Sequence, residues 1–361
     1  MNLAPCVDID LDAAGKSHGR IVFPLQTPWE GRNNLTLPAC VIANGSGPSV
    51  TLWGGNHGNE WEGPLVLAQM VRELDPGAIE GRLIILPNVN PAAVAAQSRE
   101  SPVDGANMNR IWPGDPEGTI SERIVAWLDT EILPRADALM DLHTGGDVMD
   151  LVPMSMCHHS EDPEFAARIH AAQLAFNAPL SVELRLGPGR PTASHRAHER
   201  GVLVVGSESG GGRAVSPRSL ANCYEGVRNT LDHLGVLAAP PAPGRRRYRT
   251  RFTRKWGHEA ELSVDEPGVF VPFHRLWDTV EEGQPAGQFF RLDAPREPPR
   301  TLVFPASGLI AGRRARSGVR PGDVLYWIVR DIDGAGLGLD SRGGGRHAKL
   351  SDDQTNPRGR A

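Results

Sequence analysis

The chain has 361 residues, of which 40% are hydrophobic and 22% charged, an ordinary globular composition with material for a large core. A net charge of -5 supplies no basic field for nucleic acid, and no apolar run approaches the roughly 20 residues that cross a bilayer. Four widely spaced cysteines (Cys6, Cys40, Cys157, Cys223) and an acidic opening without a basic and apolar leader suit a soluble cytoplasmic protein with reduced thiols.

From the N-terminus to about residue 236, short aliphatic runs alternate with longer amphipathic ones, the pattern of an α/β fold with a mainly parallel sheet. PACVIANG and SVTLWGG read as strands, EWEGPLVLAQMVRELD as a helix, and GRLIILPNV as a buried strand stopped by Pro and Asn. TISERIVAWLDTEILPRA opens on Thr119 and Glu122, the spacing of a capping box, so a helix starts there. ALMDLHTGG is an apolar strand ending in a histidine, DPEFAARIHAAQLAFN a helix, GVLVVGSESGGG a strand with a glycine-rich end, and SPRSLANCYEGVRNTLDHLG a helix stopped by Gly235. The pattern sets a catalytic domain over 1–236, a proline- and arginine-rich linker over 237–251 and a small β-domain over 252–331. Residues 332–361, poor in large apolar groups, read as a disordered tail.

Ligands in α/β sheets bind beyond the carboxyl ends of the strands, where loops converge. Three predicted strands end in groups suited to metal chemistry: His57 and Glu60 after SVTLWGGN, His143 after ALMDL, and Glu208 after VLVVGS. An H-x-x-E pair alone also fits a helix-start turn. A third strand-end ligand completes two His and one Glu with an open position, a ligand set of catalytic zinc. Hydrolysis also needs a base; Glu208, among small residues, is the candidate, with a simple turn cap as its alternative. The loop QSRESPVDGANMNRIWPG offers Arg99, Asn109 and Arg110, and a guanidinium fork suits a carboxylate or a developing oxyanion. The same loop also reads as a solvated connection. Adjacent His158 and His159 on a strand would face opposite ways, which makes joint ligation of one ion awkward and favours a surface or pocket-lining role. PTASHRAHERG offers either a substrate-binding arginine or a solvated helix face, and RLGPGRP lacks the lysine and serine of a phosphate loop.

In this order and with these gaps, GGNHGNE, NPAAV, SRESPVDGANMNRIWPG, MDLHTGG and VGSESGGG resemble the succinylglutamate desuccinylase/aspartoacylase family, relatives of the zinc carboxypeptidases. The resemblance covers roughly residues 1 to 330, and the opening DIDLDAAGKSHG and the GGNHGNEWEGP block are most similar to members that deacetylate N-acetyl-diaminobutyrate. It implies a mixed sheet flanked by helices with a smaller C-terminal β-domain that narrows the active-site mouth. It further implies one zinc ion on His57, Glu60 and His143, with Glu208 as base and proton shuttle. Arg99 would polarise the scissile carbonyl, and Asn109 and Arg110 would hold the substrate carboxylate. The family's C-terminal-domain tyrosine has no assigned counterpart; the β-domain offers only Tyr326. The expectation is a deacylase of a small carboxylated amide, with self-association into a homo-oligomer left open. A hydrolase of larger amides or peptides, and a metal-binding protein without activity, are its rivals.

Overall fold

The computed structural model describes residues 4–25, 34–185, 192–212, 214–239, 248–257 and 260–332, apart from the Trp256 side chain. The RLGPGRP loop from residue 186 onward, most of the expected linker and nearly all of the expected tail lie outside the described residues. Four parallel strands form the centre of a large sheet, in the order Gly81–Leu86, Ser49–Gly54, Ala138–His143, Leu203–Glu208. These are the strands whose sequences alternate with helical segments, because a parallel connection needs a crossover long enough for a helix. Beyond Leu203–Glu208 the sheet turns mixed: Met154–His158 runs antiparallel to it, and Leu180–Arg185 and Arg251–Trp256 run parallel to Met154–His158. On the other side, Gly15–Pro24 and Asn34–Asn44 form a long antiparallel pair against Gly81–Leu86. The mixed sheet implied by the resemblance is therefore the one that forms.

Strand alternation decides what each face does. In Ala138–His143, Ala138, Met140 and Leu142 face the helices Glu62–Glu73, Pro163–Phe176 and Pro217–His233, within one apolar cluster. Leu139 faces the opposite cluster under the helix Ile120–Trp127, and Asp141 and His143 share its parity. Val204, Gly206 and Glu208 repeat this in the neighbouring strand, paired in register with Leu139, Asp141 and His143. Chemistry thus accumulates on one face while the other stays apolar.

The helix termini follow the expected signals. Thr119 and Glu122 form the capping box, with the Glu122 carboxylate accepting from the Thr119 backbone at 2.7 Å. Gly235, at φ +74°, closes the helix Pro217–His233 with bonds from its own N–H to Asp232 and from the Val236 N–H to Leu231, a Schellman motif.

The C-terminal strands form an antiparallel sheet, Arg300–Val303, Pro285–Phe290, Gly268–Pro272, Gly318–Val319, around its own core of Phe270, Phe289, Phe304 and Tyr326. Val324–Asp331 pairs antiparallel with Arg251–Trp256, so hydrogen bonding runs from the central strands into this part of the chain. A junction cluster including Leu151, Val182, Leu309 and Val329 packs both sides together. Among the described residues no helix is long and apolar enough to cross a membrane.

Candidate active site

The strand Ser49–Gly54 ends in the tight loop that carries His57 and Glu60. A side chain on Gly58 would place its Cβ 1.9 Å from the backbone of Ala93, and the Gly58 N–H bonds Ser98 O at 2.8 Å. Only glycine lets this loop press against the segment that leads to Arg99.

His57 Nδ1 lies 2.7 Å from Glu60 Oε1, and His143 Nδ1 2.8 Å from Glu60 Oε2, with all three side chains buried. Each imidazole has its proton position set from behind. Asn107 Oδ1 accepts the Asn109 backbone N–H at 3.0 Å, which identifies it as the amide oxygen, and it lies 3.2 Å from His57 Nε2. Asp141 Oδ1 lies 2.9 Å from His143 Nε2 and is itself fixed by the Trp53 indole N–H at 2.7 Å. Protons on both Nε2 atoms leave two Nδ1 lone pairs turned toward a carboxylate that can only accept. Donor atoms of His57, Glu60 and His143 all lie within 4.8 Å of one another, an arrangement that a cation resolves and that could hold a metal ion.

The three groups are strongly coupled in charge. Burial would raise the Glu60 carboxyl, yet His57 and His143 hold it well below the usual carboxylate range. Burial would lower His143, but Asp141 and Glu60 outweigh it and raise the imidazole. At His57 burial prevails over the pull of Glu60, and its pKa falls.

Glu208 stands opposite His143 in the strand register. Burial first, and the Glu60 carboxylate second, push it up to about 8. Its Oε2 is buried without a hydrogen-bond partner in a cavity of about 650 Å³. The same cavity is lined by Arg99, Asn109 and Arg110 together with His57, Glu60 and His143, so all seven residues expected from the sequence meet there. Arg99 Nη1 is 3.4 Å from His57 Nδ1 and 3.5 Å from Glu60 Oε1. Asn109 Oδ1 accepts the Ala193 N–H at 2.8 Å, which leaves the amide nitrogen as its free donor. Arg110 Nη1 donates to Asn109 O at 2.8 Å.

The profile of the succinylglutamate desuccinylase/aspartoacylase catalytic domain matches residues 46–234, just over half of the chain. The chain belongs to the succinylglutamate desuccinylase/aspartoacylase family. A family structure from Rhodobacter sphaeroides superposes with a TM-score of 0.85 at 34% identity, covering 91% of this chain and 99% of that one. The product-bound ectoine utilization protein EutE (DoeB) from Ruegeria pomeroyi does so at 0.85 and 32%, with the same coverage. The N-alpha-acetyl-L-2,4-diaminobutyric acid deacetylase of Halomonas elongata is 29% identical over 332 residues, 91% of this chain and 95% of that protein. With the family comes the reaction class: this family member is a hydrolase that acts on amide bonds as a deacylase.

Asn107, the pair Arg196 and Arg200, and Tyr326 have partners that the sequence did not assign. Asn107, one residue before the methionine in NMNR, backs His57; its only local signal was its place in the polar loop. Arg196 and Arg200 lie on the partly exposed face and C-terminal end of the helix Ala193–Glu199, as the helix-face alternative expected, and both also clamp the buried Asp129, with Arg196 bidentate at 2.8 and 3.2 Å and Arg200 at 2.6 Å. Tyr326 is fully buried in the C-terminal core, its hydroxyl donating to His274 O at 3.1 Å.

Proposed function

We propose that this enzyme is a zinc-dependent deacylase of a small N-acylated, carboxylated amine, of the kind exemplified by N-acetyl-diaminobutyrate. The observation that carries the reading is the convergence of two oriented imidazole lone pairs, the Glu60 carboxylate and the partnerless Glu208 oxygen in one cavity. His57, Glu60 and His143 would hold the ion, which, when bound, supplies Lewis acidity to the carbonyl and to an attacking water.

The chain's own groups perform the remaining work. Arg99, at the edge of the ligand trio and 40% exposed, donates to the carbonyl oxygen as negative charge develops on it. Glu208 takes a proton from the attacking water and returns it to the departing nitrogen; a carboxyl titrating near neutrality suits both transfers. Asn109 Nδ2 and the Arg110 guanidinium hold the substrate carboxylate, which fixes the amide over Glu208. The buried free cysteines Cys40, Cys157 and Cys223 support a reducing, cytoplasmic setting.

The test is hydrolysis of N-acetyl-diaminobutyrate, N-acetylaspartate and N-succinylglutamate by the zinc-loaded protein and by Glu208→Ala, with bound metal measured in both. Turnover of one of them by the wild type alone, at equal metal content, supports the reading. Metal binding with no turnover of any would remove the substrate class.

A further inference from the structure

The segment that follows His143 leaves the central sheet and joins the C-terminal strands. Met149–Leu151 pairs antiparallel with Gly308–Arg314, Leu151 opposite Gly312 and Met149 opposite Arg314. Two more backbone bonds extend this ladder, from Ala315 N–H to Val148 O at 2.8 Å and from Val152 N–H to Ala311 O at 2.9 Å. The loop after Glu208 is tied in as well, with Gly145 N–H on Gly210 O at 2.8 Å and Gly212 N–H on Met149 O at 3.0 Å. Backbone bonding alone therefore attaches the C-terminal strands beside the ligand loops.

One side-chain bridge goes further. Arg316, in the turn after Gly308–Arg314, donates to Asp147 Oδ2, and Asp147 Oδ1 accepts the Asn59 amide N–H at 2.8 Å. Asn59 is buried and stands between Gly58 and the ligand Glu60. Its own Oδ1 is buried without a hydrogen-bond partner, so the bond to Asp147 carries the orientation of the amide. The fit around it is close: a Cβ on Gly146 would lie 3.1 Å from the Asn59 side chain, and the Thr144 N–H bonds Glu60 Oε2 at 3.1 Å.

We propose that Asp147 is a positioning residue through which the C-terminal β-domain, by way of Arg316, sets the Glu60 carboxylate between His57 and His143. The inference rests on the metal reading above and deepens it.

Asn59, Asp147 and Arg316 do not line the cavity, so they act on the site through Glu60 and not on a substrate. They lie 88 and 169 residues apart in sequence, and a carboxylate that accepts from both sides fixes the two segments relative to each other. A rotation at Asn59 passes through one peptide to Glu60, whose oxygens each face one imidazole. Small errors matter there, since a ligand constellation must be held to within about 0.5 Å.

Two readouts test this: zinc affinity by competition with a chelator, and hydrogen-deuterium exchange across residues 55–61 in the metal-free protein. Arg316 is 46% exposed, so Arg316→Ala removes the outer donor without opening a cavity. Asp147→Ala should weaken zinc binding about tenfold, the loss that follows removal of a partner behind a ligand. Arg316→Ala should weaken it about threefold, the size of an exposed ion pair, and Arg316→Lys should restore most of that. Asp147→Asn keeps an acceptor for Asn59 but gives up the charge opposite Arg316, so it should match Arg316→Ala. Once Asp147→Ala is in place, Arg316→Ala should have no further effect, because the route is already cut. Zinc affinity in Arg316→Ala equal to wild type, or losses that add in the double variant, overturns the proposal whatever the melting temperature does. Exchange across 55–61 should be faster in metal-free Arg316→Ala, with the helix Ile120–Trp127 unchanged, and unaltered exchange in the loop overturns the proposal too. If the loop exchanges faster as expected while the wild type binds no zinc, the metal reading fails and the positioning role stands.

Discussion

Glu208, in the cavity wall, and Asn107, behind His57, predict different defects. Removing the Glu208 carboxyl takes away the proton shuttle and leaves the ligand trio intact, so Glu208→Gln should lower kcat about 10²- to 10⁴-fold at unchanged metal content. Removing the Asn107 amide frees the His57 ring from behind. Asn107→Ala should weaken metal affinity about 10- to 100-fold, read by competition with a chelator. His57, Glu60, His143 and Glu208 were legible in the sequence because each follows an apolar run that could only be a strand, and strand ends in α/β sheets face the site. Asn107 was not, since its partner lies 50 residues away and nothing local marks it. The same holds for Arg196, whose salt bridge to Asp129 spans 67 residues.

At the scale of single elements, the loop between Gly54 and Glu62 is held by a contact that tolerates no side chain. Gly58→Ala drives a Cβ into the Ala93 backbone, so the loop must shift, and both the melting temperature and metal affinity should fall. Thr119→Ala removes one half of a capping box remote from the ligand trio. It should cost about 1 kcal/mol in stability, seen as a lower thermal midpoint, without loss of metal. The capping signals were legible because they are local in sequence. The antiparallel placement of Met154–His158 was not, because strand direction is chosen by tertiary pairing and leaves no trace in periodicity.

Across the whole molecule, continuous pairing from Leu203–Glu208 through Arg251–Trp256 to Val324–Asp331 ties the C-terminal strands to the central sheet. Unfolding of the wild type should therefore follow one cooperative calorimetric transition, and two resolved transitions would contradict that coupling. Acid should weaken the fold through His158. The folded imidazole is held at about 3 while the unfolded one titrates near 6.5, so the unfolded state binds the extra proton between these values. Stability contributed by neutral His158 is present above about pH 6.5 and is lost progressively as pH falls toward about 3. Melting temperatures from pH 7.5 to 5 should decline less steeply in His158→Gln.

The in-register pairing of Glu208 with His143 has a consequence for insertions and deletions. Side-chain direction alternates along a strand, so one residue added or removed within Leu203–Glu208 would bring Ser207 or Ser209 to the position of Glu208 and turn the carboxylate toward the helices behind the sheet. Codon-sized length changes in that strand are expected to silence the enzyme even where every functional residue is retained. The β-strand ladder, as much as the identity of the side chains, thus restricts which length variants of this gene can remain active.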